Sequence, residues 1–443
     1  MRALTSFAAL VLLVTSPLLA RSSAAPEVSQ ARLRVDVAAL VSFGTRHTLS
    51  SADDPKRGIG AARRWAEREF RQTNAACGGC LELTLPETIV TGDRLPQPAK
   101  IIDVVAIQRG TERPNEVVII QGHIDSRVSD VMNAAADAPG ANDDGSGSAL
   151  VLEAARILSK RKFPTTIVYA ILSGEEQGLY GGKLLANYAR AQGWTVKAVL
   201  NNDIVGNSRG SDGWIDNAHV RVFSEGPRAD ADEAERASAR RFGGENDSPS
   251  RNLSRFASTL APALPGGLAV RQVWRADRMG RGGDHLPFQD AGVPAIRFSV
   301  AVENYDHQHQ DLRTDHGVVY GDTIEFMDFG YLAKVTALNV ALLDRLARAP
   351  LPPQVTVEAA VQTFTVVKWS PSAGATGYTL WQRRTDAADW TRIRRVAAGT
   401  SQVKLPGVRG DDWFFGVSAL AADGSESPVA SGVPGGGFVR VAH

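Results

Sequence analysis

Between residues 117 and 349, apolar runs that read as strands alternate with stretches that read as helices, and no other feature restricts the fold as much. Residues 117–120 (VVII) and 165–172 (TTIVYAIL) are continuous, largely β-branched runs, the pattern of strands covered on both faces. Shorter runs at 198–205, 220–223 and 294–300 read as further strands. Residues 146–159, 181–192, 231–242 and 323–349 read as helices, the first and last with clear apolar spacing. Strands alternating with helices imply an α/β fold, a mostly parallel mixed sheet sandwiched by helices. Upstream, residues 27–75 read as helical, with 81–91 and 100–107 as edge strands. Residues 206–215 and 243–267, rich in Gly, Ser, Asn, Pro and Asp, read as loops.

The pattern changes after Pro350-Leu351-Pro352-Pro353, a stiff linker. From 354 to 443 only short alternating strands follow, as in a small all-β sandwich. Trp369, then Gly377-Tyr378-Thr379-Leu380 and the aromatic strand 413–417, give an order that resembles a fibronectin type III domain. Such a module implies a spacer, or a surface for another protein, a solid support or a polysaccharide. At the other end, Arg2, the apolar run 7–20 and the small residues 22–25 form a secretory signal, expected over residues 1–25. The run is shorter than the ~20 apolar residues that span a bilayer. The expected organisation is therefore a signal peptide, a catalytic unit over 26–349, a linker and a β-sandwich. The expected location is secreted or periplasmic, as a monomer without a membrane span. Net charge is +1 with the charges well mixed, so nothing favours nucleic acid or a membrane surface as partner. In an exported chain Cys77-Gly78-Gly79-Cys80 reads as a local disulfide, with a redox pair or half a zinc knuckle as the sharper alternatives.

Polar residues follow the strands directly. His123 and Asp125 come after the first, Glu175 and Glu176 after the second, and Asp203 closes the third. Ligands collect at the carboxyl ends of such strands. Asp143 lies in the glycine-rich loop 139–147, and His307 in a later histidine-rich segment. Imidazole and carboxylate donors suit zinc in an open site. Asp125, two residues after His123, projects to the same face of an extended segment and can hold the histidine's other ring nitrogen. Asp143 can bridge two metals, one oxygen to each. Adjacent glutamates point apart, so one can bind metal while the other moves protons. Two Zn²⁺ ions would be neutralised by Asp143, Glu176, Asp203 and one hydroxide, with neutral histidines.

These residues resemble the co-catalytic dizinc exopeptidases, which include secreted bacterial leucyl-type aminopeptidases, with glutamate carboxypeptidase and glutaminyl cyclase as relatives. The family's His-x-Asp resembles His123-Ile124-Asp125, and its Pro-Gly-Ala-x-Asp-Asp-x-Ser-Gly segment resembles residues 139–147. The resemblance implies Asp143 as bridging ligand, Glu175 as general acid/base, Glu176 as ligand, and Asp203 of Asn202-Asp203-Ile204-Val205-Gly206 on the other zinc. The last ligand is a histidine four residues before an aspartate. In His307-Gln308-His309-Gln310-Asp311 that is His307, with His309 as rival. Gly283-Asp284-His285-Leu286-Pro287-Phe288 is similar to a supporting segment of the family, not a ligand position. His47, His219, His316 and His443 lack such context and read as surface or packing residues. The resemblance spans roughly residues 30–348, with five motifs in family order. It implies a zinc aminopeptidase in which a zinc-bound hydroxide attacks peptides with Glu175 as base. The alternatives are a carboxypeptidase or glutaminyl cyclase on the same fold, or an inactive binding protein, which would lack a ligand or base.

Overall fold

The computed structural model describes residues 27–438; the expected signal peptide (1–25) and His443 lie outside them. The first helices are α1 (Gln30–Val41) and α2 (Gly58–Ala76). Then come β1 (Glu82–Thr84), a separate hairpin of β2 (Glu87–Gly92) and β3 (Leu95–Ile102), and β4 (Val104–Gln108). The alternating part runs β5 (Arg113–His123), α3 (Gly145–Leu158), β6 (Thr165–Leu172), α4 (Tyr180–Ala191) and β7 (Thr195–Asn202). It continues with β8 (His219–Phe223), α5 (Glu233–Phe242), α6 (Pro249–Leu260), β9 (Ala269–Val273), α7 (Leu286–Asp290) and β10 (Ala295–Val300). A small hairpin, β11 (Arg313–Asp315) and β12 (Val318–Tyr320), precedes the long α8 (Phe329–Arg348).

One eight-stranded sheet, in the order β1-β4-β6-β5-β7-β10-β8-β9, carries the unit. The pairs β5/β6, β5/β7, β7/β10 and β8/β9 are parallel, and the other three antiparallel. Alternation along β5 explains its unbroken apolar run: Val118 and Ile120 pack into one core with Leu150 of α3 and Leu342 of α8. Val117 and Ile119 face the opposite core, with Leu185 of α4 and Phe288 of α7. A strand covered on both faces favours apolar side chains throughout, and from Val117 onward β5 departs from this only near its end, where buried Gln121 donates to Asn201 Oδ1 at 2.9 Å and His123 closes the strand.

Two sequence expectations are corrected. Residues 100–107 are not one edge strand: Lys100–Ile102 close the hairpin, and β4 lies inside the sheet between β1 and β6. Residues 243–267 are not all loop, because α6 forms there, with Ser248 as N-cap accepting from the Arg251 amide and Pro249 in the first turn. Periodicity misses α6 because its buried residues are mostly polar: Ser250, Arg251, Asn252, Ser254 and Arg255 are covered beside only Leu253 and Ala257.

Most of the buried face of α6 packs on β9, β10 and α8, and its Asn252 and Arg255 meet the C-terminal sandwich. β13 (Val355–Glu358), β14 (Phe364–Trp369) and β17 (Gln402–Pro406) form one antiparallel sheet. β15 (Gly377–Arg384), β16 (Thr391–Ala397), β18 (Trp413–Leu420) and β19 (Ala430–Ser431) form the other, around a core of Trp369, Tyr378, Leu380, Phe415 and Val417. Asp247 pairs with Arg255 at 3.2 Å on its own unit and with Arg383 at 2.5 Å on the sandwich. Trp390 donates to Asn252 Oδ1 at 2.9 Å. Cys77 and Cys80 are disulfide-bonded. Among the described residues no helix is long and apolar enough to cross a membrane.

Candidate metal centre

The carboxyl ends of β5, β6 and β7 converge as the sequence suggests, and the loops after them decide what meets what. β5 delivers His123, whose amide donates to Asp144 Oδ2 (3.0 Å) and whose carbonyl accepts from Ser148 Oγ (2.8 Å). Asp144 also caps α3 by accepting from the Gly147 amide, which fixes the loop carrying Asp143. His123 Nε2 lies 3.2 Å from Asp143 Oδ1 and 3.9 Å from Asp203 Oδ2. The other oxygen of Asp143 lies 2.9 Å from His309 Nε2, which is also 2.9 Å from Glu176 Oε1. Two donor groups result, His123–Asp143–Asp203 and Asp143–Glu176–His309, each with its ligand atoms within 4.8 Å of one another and Asp143 common to both.

Among the described residues His123 Nε2 and Glu176 Oε1 are buried and form no well-directed hydrogen bond, their near neighbours being the other donor atoms of the two groups. Such orphans cost about 1–3 kcal/mol each unless something satisfies them. A cation with N and O ligands does so, and the mixed imidazole–carboxylate set fits zinc. Electrostatics agree: burial works against a charged His309, yet Glu176 and Asp143 raise its pKa to about 9. This position favours positive charge.

The structure corrects the choice between the two late histidines: His309, not His307, stands beside Asp143 and Glu176. The His307 ring stacks on Phe326, with 3.7 Å between centroids, in a small hole lined by Asn142 and Asn304. Residues 305–309 form a turn in which His309 takes a left-handed φ of 57°. In an extended segment, residues two apart would share a face; this turn sends the two rings apart.

Asp125 is corrected in its contacts. The His123 Nδ1 partner is the Asp125 backbone carbonyl at 3.0 Å, while the nearer carboxylate oxygen is 3.6 Å away. The carboxylate instead accepts the amides of Gly174 (2.9 Å), Glu175 (3.3 Å) and Glu176 (3.1 Å) and the Thr48 hydroxyl (3.2 Å). It therefore shapes the turn that carries both glutamates. Glu176 joins the second donor group, and Glu175 lines the same cleft outside both groups. Burial, with Asp203, Glu176 and Asp284 nearby, pushes the Glu175 carboxyl well above the usual range.

Several supporting residues carried no sequence signal. Arg127 Nε holds Glu176 Oε2 at 2.9 Å, and its Nη2 reaches His309 Nδ1 at 2.6 Å. Buried Arg297 pairs with Asp203 at 2.7 Å and with Asp277 at 2.9 Å. Asp322 accepts the amides of Asn142 (2.9 Å) and Asp143 (2.7 Å), and burial raises it to about 7. Gln308 donates to Asp143 Oδ2 at 2.8 Å. Asp284, placed by sequence in a supporting role, accepts from the Gly182 amide at 3.0 Å; a Cβ on Gly182 would come within 2.7 Å of its carboxylate. His47 is buried against the Val131 carbonyl, His219 pairs with Asp216 and His316 is exposed, so these three pack or face solvent.

Comparison with known proteins places this geometry. Residues 103–318 match the sequence profile of peptidase family M28. A probable zinc metalloprotease of Leptosphaeria maculans is 43% identical over 414 residues, covering 92% of this chain and 96% of that one. Another, of Pyricularia oryzae, is 44% identical over 424 residues, covering 92% and 83%. The residues left unmatched at that coverage are fewer than the sandwich contains, so the similarity extends into it. Among solved structures, the LapA aminopeptidase of Legionella pneumophila aligns with a TM-score of 0.53 at 21% identity, over 72% of this chain and 71% of that one. At that identity the likeness is one of fold.

Proposed function

Because the chain belongs to peptidase family M28 and is a zinc metalloprotease, we propose that it is an aminopeptidase holding two zinc ions. His123, Asp143 and Asp203 would hold one; Asp143, Glu176 and His309 the other. The observation that carries this is Asp143, which presents one oxygen to each histidine. Zinc bound there would lower the pKa of a water to roughly 7 and polarise the scissile carbonyl. Glu175 would then take the proton of the attacking water and pass it to the leaving nitrogen, a role suited to a carboxyl whose pKa burial pushes up. Asp125 acts as a positioning residue by holding the Glu175 and Glu176 amides, Arg297 orients Asp203, and Arg127 orients Glu176.

The aminopeptidase reading is supported by the motif order and by a solved aminopeptidase among the proteins of like fold. A carboxypeptidase is the second reading, favoured by the arginines that line the cleft. We further read residues 1–25 as an export signal, 26–349 as the peptidase unit, 350–353 as linker and 354–443 as a fibronectin type III-like sandwich. A chromogenic aminoacyl panel beside N-terminally blocked peptides and N-terminal glutamine peptides, with and without chelator, tests the activity. Release of the N-terminal residue that chelator abolishes is the expected result. Cleavage of blocked peptides alone would overturn the aminopeptidase assignment, and protein purified without any zinc would overturn the metal assignment.

A further inference from the structure

The cleft beside the donor groups, about 460 Å³, has an unusual wall: Arg94, Arg127, Arg278 and Arg281 all line it. Its acids are Asp143, Glu175, Glu176 and Asp203, each already assigned to metal or proton transfer. Two of the arginines are committed. Arg127 holds Glu176 and His309, and Arg278 pairs with Asp277 at 3.2 Å and Glu303 at 3.3 Å. The other two have donors to offer. Arg94 is exposed, donates to the Glu176 carbonyl at 2.8 Å and pairs with no carboxylate among the described residues. Arg281 reaches Glu303 at 2.8 Å and Gln308 Oε1 at 3.1 Å, but Glu303 also serves Arg221 (2.6 Å) and Arg278. One carboxylate thus faces three guanidiniums.

Both arginines lie close to the reacting position. Arg94 touches the backbone of Glu176, and Arg281 connects through Gln308 to Asp143. Guanidinium groups take carboxylates in a bidentate fashion, and in a partly desolvated cleft such charge-assisted bonds discriminate strongly against neutral analogues. We propose that Arg94 and Arg281 select substrates that carry a carboxylate on a residue flanking the scissile bond, either an acidic side chain or the free C-terminus of a short peptide. This rests on the reading that peptides are cut in this cleft.

The test uses the zinc-loaded full chain and isosteric pairs: Leu-Ala against its amide, Leu-Glu-amide against Leu-Gln-amide, and Glu-Ala-amide against Gln-Ala-amide. At least one charged member should have a kcat/KM about tenfold above its neutral partner. The pair that shows it tells the C-terminus from the side chain. That ratio should fall toward one in Arg94→Gln or Arg281→Gln and shrink with added salt. Ratios within about twofold for every pair, or a preference unchanged in both variants, would overturn the proposal, while hydrolysis of the neutral peptides would leave the peptidase reading standing. Were no peptide cut, the peptidase reading would fail, and titration calorimetry with N-acetylglutamate would decide the inference: binding weakened about tenfold in Arg94→Gln supports it, and no binding to the unsubstituted protein overturns it.

Discussion

Two places in this molecule bury charge, and they do it in opposite ways. At the joint between α6 and the sandwich, Asp247 is enclosed by Arg255 and Arg383, and the arginines rest on rings: Arg251 and Arg255 over Trp274, Arg383 over Phe414. Each charge meets an opposite charge or an aromatic face. At the ends of β5, β6 and β7, Asp143, Asp144, Glu175, Glu176, Asp203 and Asp284 crowd around Arg127, Arg297 and two histidines, so that carboxylates outnumber guanidinium groups. Burial pushes Asp144, Glu175 and Asp284 up, as expected where carboxylates lack compensating charge. A compensated cluster closes an interface. An uncompensated one is offset by protons, as the raised carboxyls indicate, or by a bound cation.

Breaking the second region should give the largest effect. Glu175→Gln removes the proton acceptor while leaving the donor groups intact, so kcat should fall by about 10²–10⁴ with zinc content unchanged. Steady-state kinetics beside elemental analysis reads both, and normal turnover would refute the assigned role. Next comes the histidine pair. His309→Ala should cost at least ~100-fold in zinc affinity, since even outer partners of metal ligands cost 10–100-fold. His307→Ala, losing only its stack on Phe326, should keep its zinc.

In the first region, Asp247→Ala strands two arginines and should destabilise the chain by about 3–5 kcal/mol. Thermal unfolding reads the loss, while activity of the folded fraction should persist. If stability were unaffected, the sandwich would be tethered rather than docked.

The smallest effect concerns Glu225, whose carboxylate accepts from the Ala229 amide and from Ser250 of α6. Burial raises its pKa from 4.5 to about 7. The folded state therefore holds this proton more tightly than the unfolded chain, and stability drains as pH rises from 4.5 toward 7. Glu225→Gln should raise stability by up to roughly 3 kcal/mol at pH 8 and have almost no effect near pH 4. An equal gain at both values would show that ionisation is not the cause.

Most of the sheet was legible in order because β5, β6, β7 and β10 are buried on both faces and so are rich in apolar residues, continuously at 117–120 and 167–172 and broken by polar residues such as Lys197 and Arg297 elsewhere. α6 was illegible for the converse reason: it buries mostly polar side chains, and periodicity registers only apolar burial. The residues that meet at the site could be picked out because a core strand that ends in charged groups gives up apolar burial to hold them, which packing alone does not favour. Their partners could not. Arg127, Arg297 and Asp322 are ordinary charged residues in the chain, and become part of the site only because the fold brings the segment after β5, the strand β10 and a late loop against it.

The sequence by itself determined the chemistry available, an imidazole–carboxylate set at the carboxyl ends of a parallel sheet, because hydropathy period and strand-end position are local properties. The tertiary structure decided which histidine faces the carboxylates and which groups orient them. His307 and His309 differ by a turn and one left-handed residue, and Asp125 trades the expected ring contact for three backbone amides. Direction of a side chain and long-range pairing are set by loop geometry and packing, and neither is encoded in spacing.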